Sequence, residues 1–200
     1  MSLSLSPQTT LVVVDVQTGF TLAPYSSLNV YPSLPTVLAN ITSTIQAFRT
    51  ASIPVIHIHH ASVDPDSPLN PYLNPEGYKV HPAAAPLPDE IIFVKHVNSG
   101  FIGTGLEEHL RREGIKTLVI VGLTTSHCVS TTTRMAGNLG WEVFLARDGT
   151  GMFERKAAPG GNGEGFSAET MHEVALSELH GEFATVITTD KIIEALKKVE

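Results

Sequence analysis

The chain contains one cysteine, Cys128, and the residues around it have the types and order of an acyl-transfer site. Thr117 to Val121 is an apolar, β-branched run, too short for a helix and bounded by Gly122, so a buried strand is expected there. A polar turn, Leu123-Thr124-Thr125-Ser126-His127, leads into Cys128. From Val129 onward, the spacing of Val129, Ala136 and Leu139 fits a helix that Gly140 would stop. The thiol is therefore expected where a strand hands over to a helix. Unpaired N–H groups and the helix dipole favour negative charge at such a place, which predicts a lowered thiol pKa and an exposed thiolate. The same N–H groups suit an oxyanion as it forms. A lone cysteine is more often a small buried hydrophobe, so a nucleophile needs partners from elsewhere in the chain.

Those partners are offered by two other apolar runs. Thr10 to Val16, TLVVVDV, is broken only by Asp15 near its C-terminal end, and Ile91 to Lys95, IIFVK, ends in a lysine. Continuous runs of this kind imply strands buried on both faces, as in a parallel sheet covered by helices. Open α/β sheets carry their sites beyond the carboxyl ends of the strands, which would bring Asp15, Lys95 and Cys128 to one edge. A carboxylate as base, an ammonium to hold charge and a thiol to attack make a nucleophilic set. The run Ile53 to His59 alternates as a further strand and leads into His60. A period of two puts His57 and His59 on one face and His60 on the other. Neither an HExxH motif nor a close carboxylate accompanies them, so no metal is expected, and His60 is expected to wall a pocket.

The remaining elements must hold that edge together. Gln17 to Leu34 reads as a loop, followed by a helix with Pro35 in its first turn and a stripe of Leu38, Ile41, Ile45 and Phe48. Ala61 to Glu90 holds seven prolines and reads as a long loop that closes a pocket or covers a neighbouring subunit, with Tyr72 and Tyr78 as contributors. Thr104-Gly105-Leu106-Glu107 fits a capping box for a helix ending near Gly114. Glu142 to Ala146 and Ala184 to Thr188 complete a set of six strands, with Asp148 just beyond the former. Gly149 to Ser167 reads as a mobile loop, Ser167 as the cap of a helix to His180, and Asp190 as the cap of a terminal helix to Val199. Six strands alternating with helices predict a three-layer α/β/α sandwich around a six-stranded parallel sheet, in one domain over 1–200.

Composition narrows the function. The chain has 200 residues, 42% of them hydrophobic, enough for a full core. Its net charge of −7 argues against nucleic acid and anionic membranes as partners. One cysteine cannot form an internal disulfide, and MSLSLSPQTT lacks the basic and apolar regions of a signal peptide. A cytoplasmic protein acting on a small molecule is the expectation.

The chain resembles the isochorismatase-like cysteine hydrolases, a family that also includes nicotinamidases and N-carbamoylsarcosine amidases. The likeness runs through LVVVDVQTGF, the histidine-ended strand with Ser67-Pro68-Leu69, VKHVNSGFIGTGLEEHLRREGI, LVIVGLTTSHCVSTTTRMAGNLG and LHGEFATVITTD. It implies a catalytic triad of Asp15, Lys95 and Cys128. It also implies a non-proline cis bond at Leu123–Thr124 that turns the Thr124 N–H, beside that of Cys128, into an oxyanion hole. Phe20, His60, Tyr72, Phe101 and His127 are the expected substrate contacts, no cofactor is expected, and a homo-oligomer is. Nicotinamidases carry an Asp-Trp-His segment for metal where this chain has His57-Ile58-His59-His60. The leading expectation is hydrolysis of a small amide or ureido C–N bond through a thioester on Cys128. The alternatives are vinyl-ether hydrolysis with Asp15 as general acid, as in isochorismatases, and a non-catalytic binding protein on the same fold.

Overall fold

The structure is a computed structural model that describes residues 3, 5–161 and 163–199. Its elements in chain order are β1 (Thr9–Val14), β2 (Val30–Tyr31), α1 (Leu34–Thr50), β3 (Val55–His60), α2 (Pro75–Tyr78), β4 (Ile91–Lys95) and α3 (Leu106–Arg112). They continue with β5 (Thr117–Leu123), α4 (Ser130–Asn138), β6 (Glu142–Phe153), β7 (Arg155–Lys156), β8 (Gly165–Phe166), α5 (Ala168–Leu179), β9 (Thr185–Ile187) and α6 (Thr189–Leu196). None of the described helices is long and apolar enough to cross a membrane.

The six expected strands form the parallel part of one sheet. Its order is β4-β3-β1-β5-β6, with β9 on the far side of the first half of β6 and the short β2 antiparallel to the second half. Alternation along β1 explains its unbroken apolar run. Leu11 and Val13 pack toward α1 and α6, whereas Val12 and Val14 pack toward α3, α4 and α5. Both faces are dry, so Leu11 to Val14 are all apolar, and the buried Thr10 hydroxyl is satisfied by the Pro54 carbonyl at 2.9 Å. The sheet winds outward in two directions from the β1/β5 pair. That topological switch point is where a crevice opens at the carboxyl ends.

Several local expectations are corrected. β4 is not a buried strand but the last strand of the sheet, and Ile91, Ile92 and Val94 are 38%, 43% and 42% exposed while Lys95 is 0% exposed. β5 runs through Gly122 to Leu123, because Gly122 adopts a φ of 131°. A side chain there would collide with the Val14 carbonyl, so only glycine lets β1 and β5 approach so closely. The segment after Asp148 is not a loop as a whole. Gly149 to Phe153 continues β6 and is buried, and β7 pairs with β8 beyond it. The Gln17–Leu34 segment contains two short 3₁₀ turns and β2, and the proline-rich stretch contains α2. Thr104 builds no capping box: its hydroxyl donates to the Gly100 carbonyl, and Gly105 stands at the N-cap. Ser167 does cap α5, accepting from Thr170 N at 3.1 Å. The last helix is capped by Asp148, not Asp190, through 2.8 Å bonds from Thr189 N and Oγ1. A carboxylate from a neighbouring strand end does here what a local residue was expected to do.

Candidate active site

Three strand ends converge on one buried amine. Asp15 follows β1 directly, with a φ of 51° that turns the chain out of the sheet. Lys95 closes β4 and is the register partner of His60, which closes β3. Lys95 Nζ donates to Asp15 Oδ2 at 2.6 Å, contacts His60 Nδ1 at 3.0 Å and lies 3.4 Å from Cys128 Sγ. Asp15 and Lys95 are fully shielded from solvent, and Cys128 is 8% exposed. The other oxygen of Asp15, Oδ1, is buried and has no hydrogen-bond partner among the described residues. An unpaired buried carboxylate oxygen is costly, and here it leaves an acceptor free for a proton.

The turn that carries Cys128 is built differently from the expected helix start. The Leu123–Thr124 peptide is cis. Thr125 to Val129 forms one π-helical turn, with Val129 N–H reaching back five residues to the Thr124 carbonyl at 3.3 Å, and α4 begins only at Ser130. Thr125 Oγ1 is tied to His172 Nδ1 of α5 at 2.9 Å, anchoring the turn from behind.

Electrostatics correct the expectation of a stabilised thiolate. Burial, and then the Asp15 carboxylate, push the Cys128 thiol up to about 12, and the Lys95 ammonium offsets only part of this. Burial likewise raises Asp15 above its usual range against the opposing pull of Lys95. Desolvation outweighs any helix-end effect because the thiol lies below the surface, one turn ahead of α4. His60 is held down to about 4 by burial and by the neighbouring Lys95 charge. It is neutral at pH 7 and accepts from the ammonium.

The other expected contacts divide. His127 points to the cleft, with Nδ1 3.1 Å from Thr124 Oγ1. A small space of about 20 Å³ is lined by Tyr25, Thr124, His127, Phe153 and Arg155 among others. Phe20 stands behind that wall, its ring 5.0 Å from Tyr25 and 6.1 Å from Phe153. Phe101 stacks on Trp141 at 5.5 Å in the core, so it supports the site from below. Tyr72 is 89% exposed and is not brought to the cluster. Tyr78 contributes its carbonyl, not its ring, accepting from Gln17 Nε2 at 2.7 Å.

Sequence reasoning passed over Gln17, Asn98 and Arg155. Gln17 is 1% exposed and clamps the end of β3, accepting from His60 N at 2.8 Å and donating to the His60 carbonyl at 3.2 Å. Asn98 Nδ2 lies 3.7 Å from Cys128 Sγ. The signal for Gln17 was its position two residues beyond Asp15. Neither Asn98 nor Arg155 has a local signal.

The same atoms offer three ligands to a metal ion. A carboxylate oxygen of Asp15, a ring nitrogen of His60 and Cys128 Sγ lie within 4.8 Å of one another, the spacing of an O/N/S metal site. The Lys95 ammonium contacts all three, so the position a cation would take already carries positive charge. His57 and His59 lie on the other face, and His57 Nε2 meets Glu90 at 2.9 Å.

Comparison with known proteins places the chain among its relatives. The chain is 41% identical over 183 residues to the isochorismatase family protein YrdC of Bacillus subtilis, covering 92% of this chain and 93% of that one. It is 28% identical to the ureidoacrylate amidohydrolase RutB of Methylobacterium radiotolerans, covering 92% and 78%. A crystal structure of an isochorismatase-family protein from Chromobacterium violaceum superposes with a TM-score of 0.89 at 35% identity, covering 98% of each chain. A cysteine hydrolase from Pseudomonas syringae superposes at 0.82 with 27% identity, covering 98% and 95%. The isochorismatase domain family model matches residues 9–191, and with the sheet order and the strand-end cluster in place the chain belongs to the isochorismatase-like hydrolase family.

Proposed function

We propose that this hydrolase cleaves a C–N bond of a small amide or ureido compound through a thioester on Cys128. The observation that carries this reading is the Lys95 amine, buried and bonded to Asp15 at 2.6 Å and 3.4 Å from Cys128 Sγ. The relatedness to an amidohydrolase and a cysteine hydrolase supports the same chemistry.

The proton inventory of the cluster explains how a thiol raised to about 12 can attack. Asp15, Cys128 and Lys95 share one negative and one positive charge. Moving the thiol proton to Asp15 Oδ1 changes which atom carries the negative charge but not the total. Burial raises Asp15, making it a stronger base, and once protonated it no longer opposes the thiolate. Lys95 is in contact with both atoms and stabilises either arrangement. The thiolate then forms a bond to the substrate carbonyl carbon, and the oxyanion is held by the Thr124 and Cys128 N–H groups. As the C–N bond breaks, Asp15 returns its proton to the leaving amine. Water, deprotonated by Asp15, attacks the thioester and releases the acid, and the proton returns to sulfur.

A panel of small amides and ureas should be assayed for ammonia or amine release, with hydroxylamine added to those turned over. Diversion of product from acid to hydroxamate is expected, because hydroxylamine intercepts an acyl intermediate. Acid alone at saturating hydroxylamine would overturn the thioester route and favour direct hydrolysis led by Asp15.

A further inference from the structure

A lysine ammonium has three N–H bonds to give, and three different acceptors stand around Lys95. They are Asp15 Oδ2 at 2.6 Å, His60 Nδ1 at 3.0 Å and Cys128 Sγ at 3.4 Å. The ammonium therefore gives the sulfur one donor and has none to spare. The turn itself adds little. The backbone N–H groups on either side of Cys128, those of His127 and Val129, both donate to the Thr124 carbonyl, at 3.1 and 3.3 Å. One other donor reaches the sulfur among the described residues, the side-chain amide of Asn98, with Nδ2 3.7 Å from Sγ.

The loop after β4 holds this amide in place from both sides. Upstream, His96 Nδ1 donates to the Ala61 carbonyl at 2.8 Å, tying the loop to the residue that follows β3. Downstream, Ser99 and Gly100 are buried, and Gly100 N donates at 3.0 Å to Thr132 Oγ1 of α4, one turn beyond Cys128. Asn98 and Cys128 are thus fixed to one scaffold. Asn98 is exposed, and its side chain makes no other hydrogen bond among the described residues. Water could satisfy an exposed amide, so folding alone does not require it to face the sulfur. An amide is also neutral at every pH, so it adds a donor without changing the charge balance of the cluster.

We infer that Asn98 is a further catalytic residue, the second hydrogen-bond donor to the Cys128 thiolate. This rests on the thioester reading above. When the thiol proton moves to Asp15 Oδ1, the sulfur gains a full charge and a free lone pair. A bond from Asn98 Nδ2 that is weak to the thiol then becomes charge-assisted. The amide favours the state that exists only on the way to attack, which is how a binding contact lowers a barrier. Once the S–C bond forms, the charge passes to the carbonyl oxygen and the contact weakens again. Lys95 neutralises the cluster, and Asn98 favours the arrangement with the charge on sulfur.

Two substitutions of nearly equal size test this without a known substrate. Asn98→Leu removes the donor, and Asn98→Asp replaces it with a carboxylate. Alkylation of Cys128 is followed against pH with iodoacetamide and with the bulkier N-ethylmaleimide. Loss of the donor should raise the thiol pKa by about 1, which cuts the thiolate about tenfold. The more basic sulfur is about threefold more nucleophilic, so Asn98→Leu should be slowed about threefold at each pH. The factor should be the same for both reagents, since a change of access would differ with their size. Asn98→Asp should be slower still, and the melting temperature of Asn98→Leu should match wild type. Unchanged rates in Asn98→Leu, or an aspartate variant faster than the leucine one, would overturn the inference. A wild type that neither reagent labels would count against the thioester reading instead, and spectra then decide this one. In proton–nitrogen correlation spectra the Asn98 side-chain resonances should move when Cys128 is replaced by alanine; resonances left in place would overturn it.

Discussion

Lys95 Nζ and Asp15 Oδ2 are 2.6 Å apart, 80 positions apart in sequence, and both side chains are completely buried. Buried ion pairs are seldom retained for stability alone, since desolvation cancels much of the attraction. This lysine also contacts His60 and Cys128, so its charge is shared among an oxygen, a nitrogen and a sulfur. It is a cation built into the chain at the centre of a ligand set.

That relationship predicts what removal of the amine does. Lys95→Ala should lower stability by about 3–5 kcal/mol in urea titrations, because it leaves the Asp15 charge buried without a partner. It should also create affinity for a divalent cation. Adding Co²⁺ to the variant should produce a thiolate-to-cobalt absorption band in the near ultraviolet and recover part of the lost stability. Wild type under the same conditions should show no band, and its turnover should survive prolonged chelation.

Asp15 and Lys95 push the thiol in opposite directions. Asp15→Asn removes a negative charge beside sulfur, so Cys128 should be alkylated faster by iodoacetamide at fixed pH. Turnover should nevertheless fall by about 10³-fold or more, because the proton acceptor is gone. Lys95→Met should slow alkylation. Parallel changes in the two variants would contradict the shared-charge account of the cluster.

Cys128→Ser keeps the shape but offers an alcohol that the Asp15–Lys95 pair is poorly suited to deprotonate. A loss of several orders of magnitude in kcat is expected, with substrate binding retained. During turnover of a slow substrate by wild type, intact-mass measurement should find the acyl group on the Cys128 peptide. Near-normal turnover by the serine variant would make the cysteine dispensable.

Two histidines set an acid limit on stability. His59 and His60 are held down from 6.5 to about 4, both chiefly by burial. A folded-state pKa below the unfolded value gives stability that is complete above pH 6.5 and lost as pH falls through about 4. The Tm should decline over that window, and His59→Gln should flatten the decline by at most about 3 kcal/mol. A flat profile from pH 7 to pH 4 would contradict the burial of neutral rings.

Gly122→Ala should be among the most damaging single substitutions. The added methyl meets the Val14 carbonyl where β1 and β5 diverge, at a φ of 131°. A loss of more than about 3 kcal/mol is expected in chemical unfolding. Gly140→Ala also has a positive φ, but no heavy atom lies within 4 Å of the added carbon, so it should cost much less.

The sequence by itself determined the six parallel strands and the burial of the central ones, and it singled out the side chains that the fold gathers at their carboxyl ends. An apolar run such as Leu11 to Val14 carries its own evidence, because a strand covered on both faces has little room for unpaired polar groups. Cys128, Asp15 just beyond β1 and the residues closing β3 and β4 were legible for the same reason: their chemistry conflicts with the apolar runs around them. Tertiary structure decided everything that depends on distance between segments. The exposure of β4 follows from its place at the sheet edge, which no local pattern encodes. The cap of α6 comes from Asp148, 41 positions upstream of Thr189. The thiol pKa depended on depth, and burial reversed the direction that the helix start alone predicted. Arg155 looks like any surface arginine until the β7–β8 hairpin sets it against His127. Patterns of hydrophobicity specify which residues leave water, whereas electrostatics depends on which charges meet afterwards.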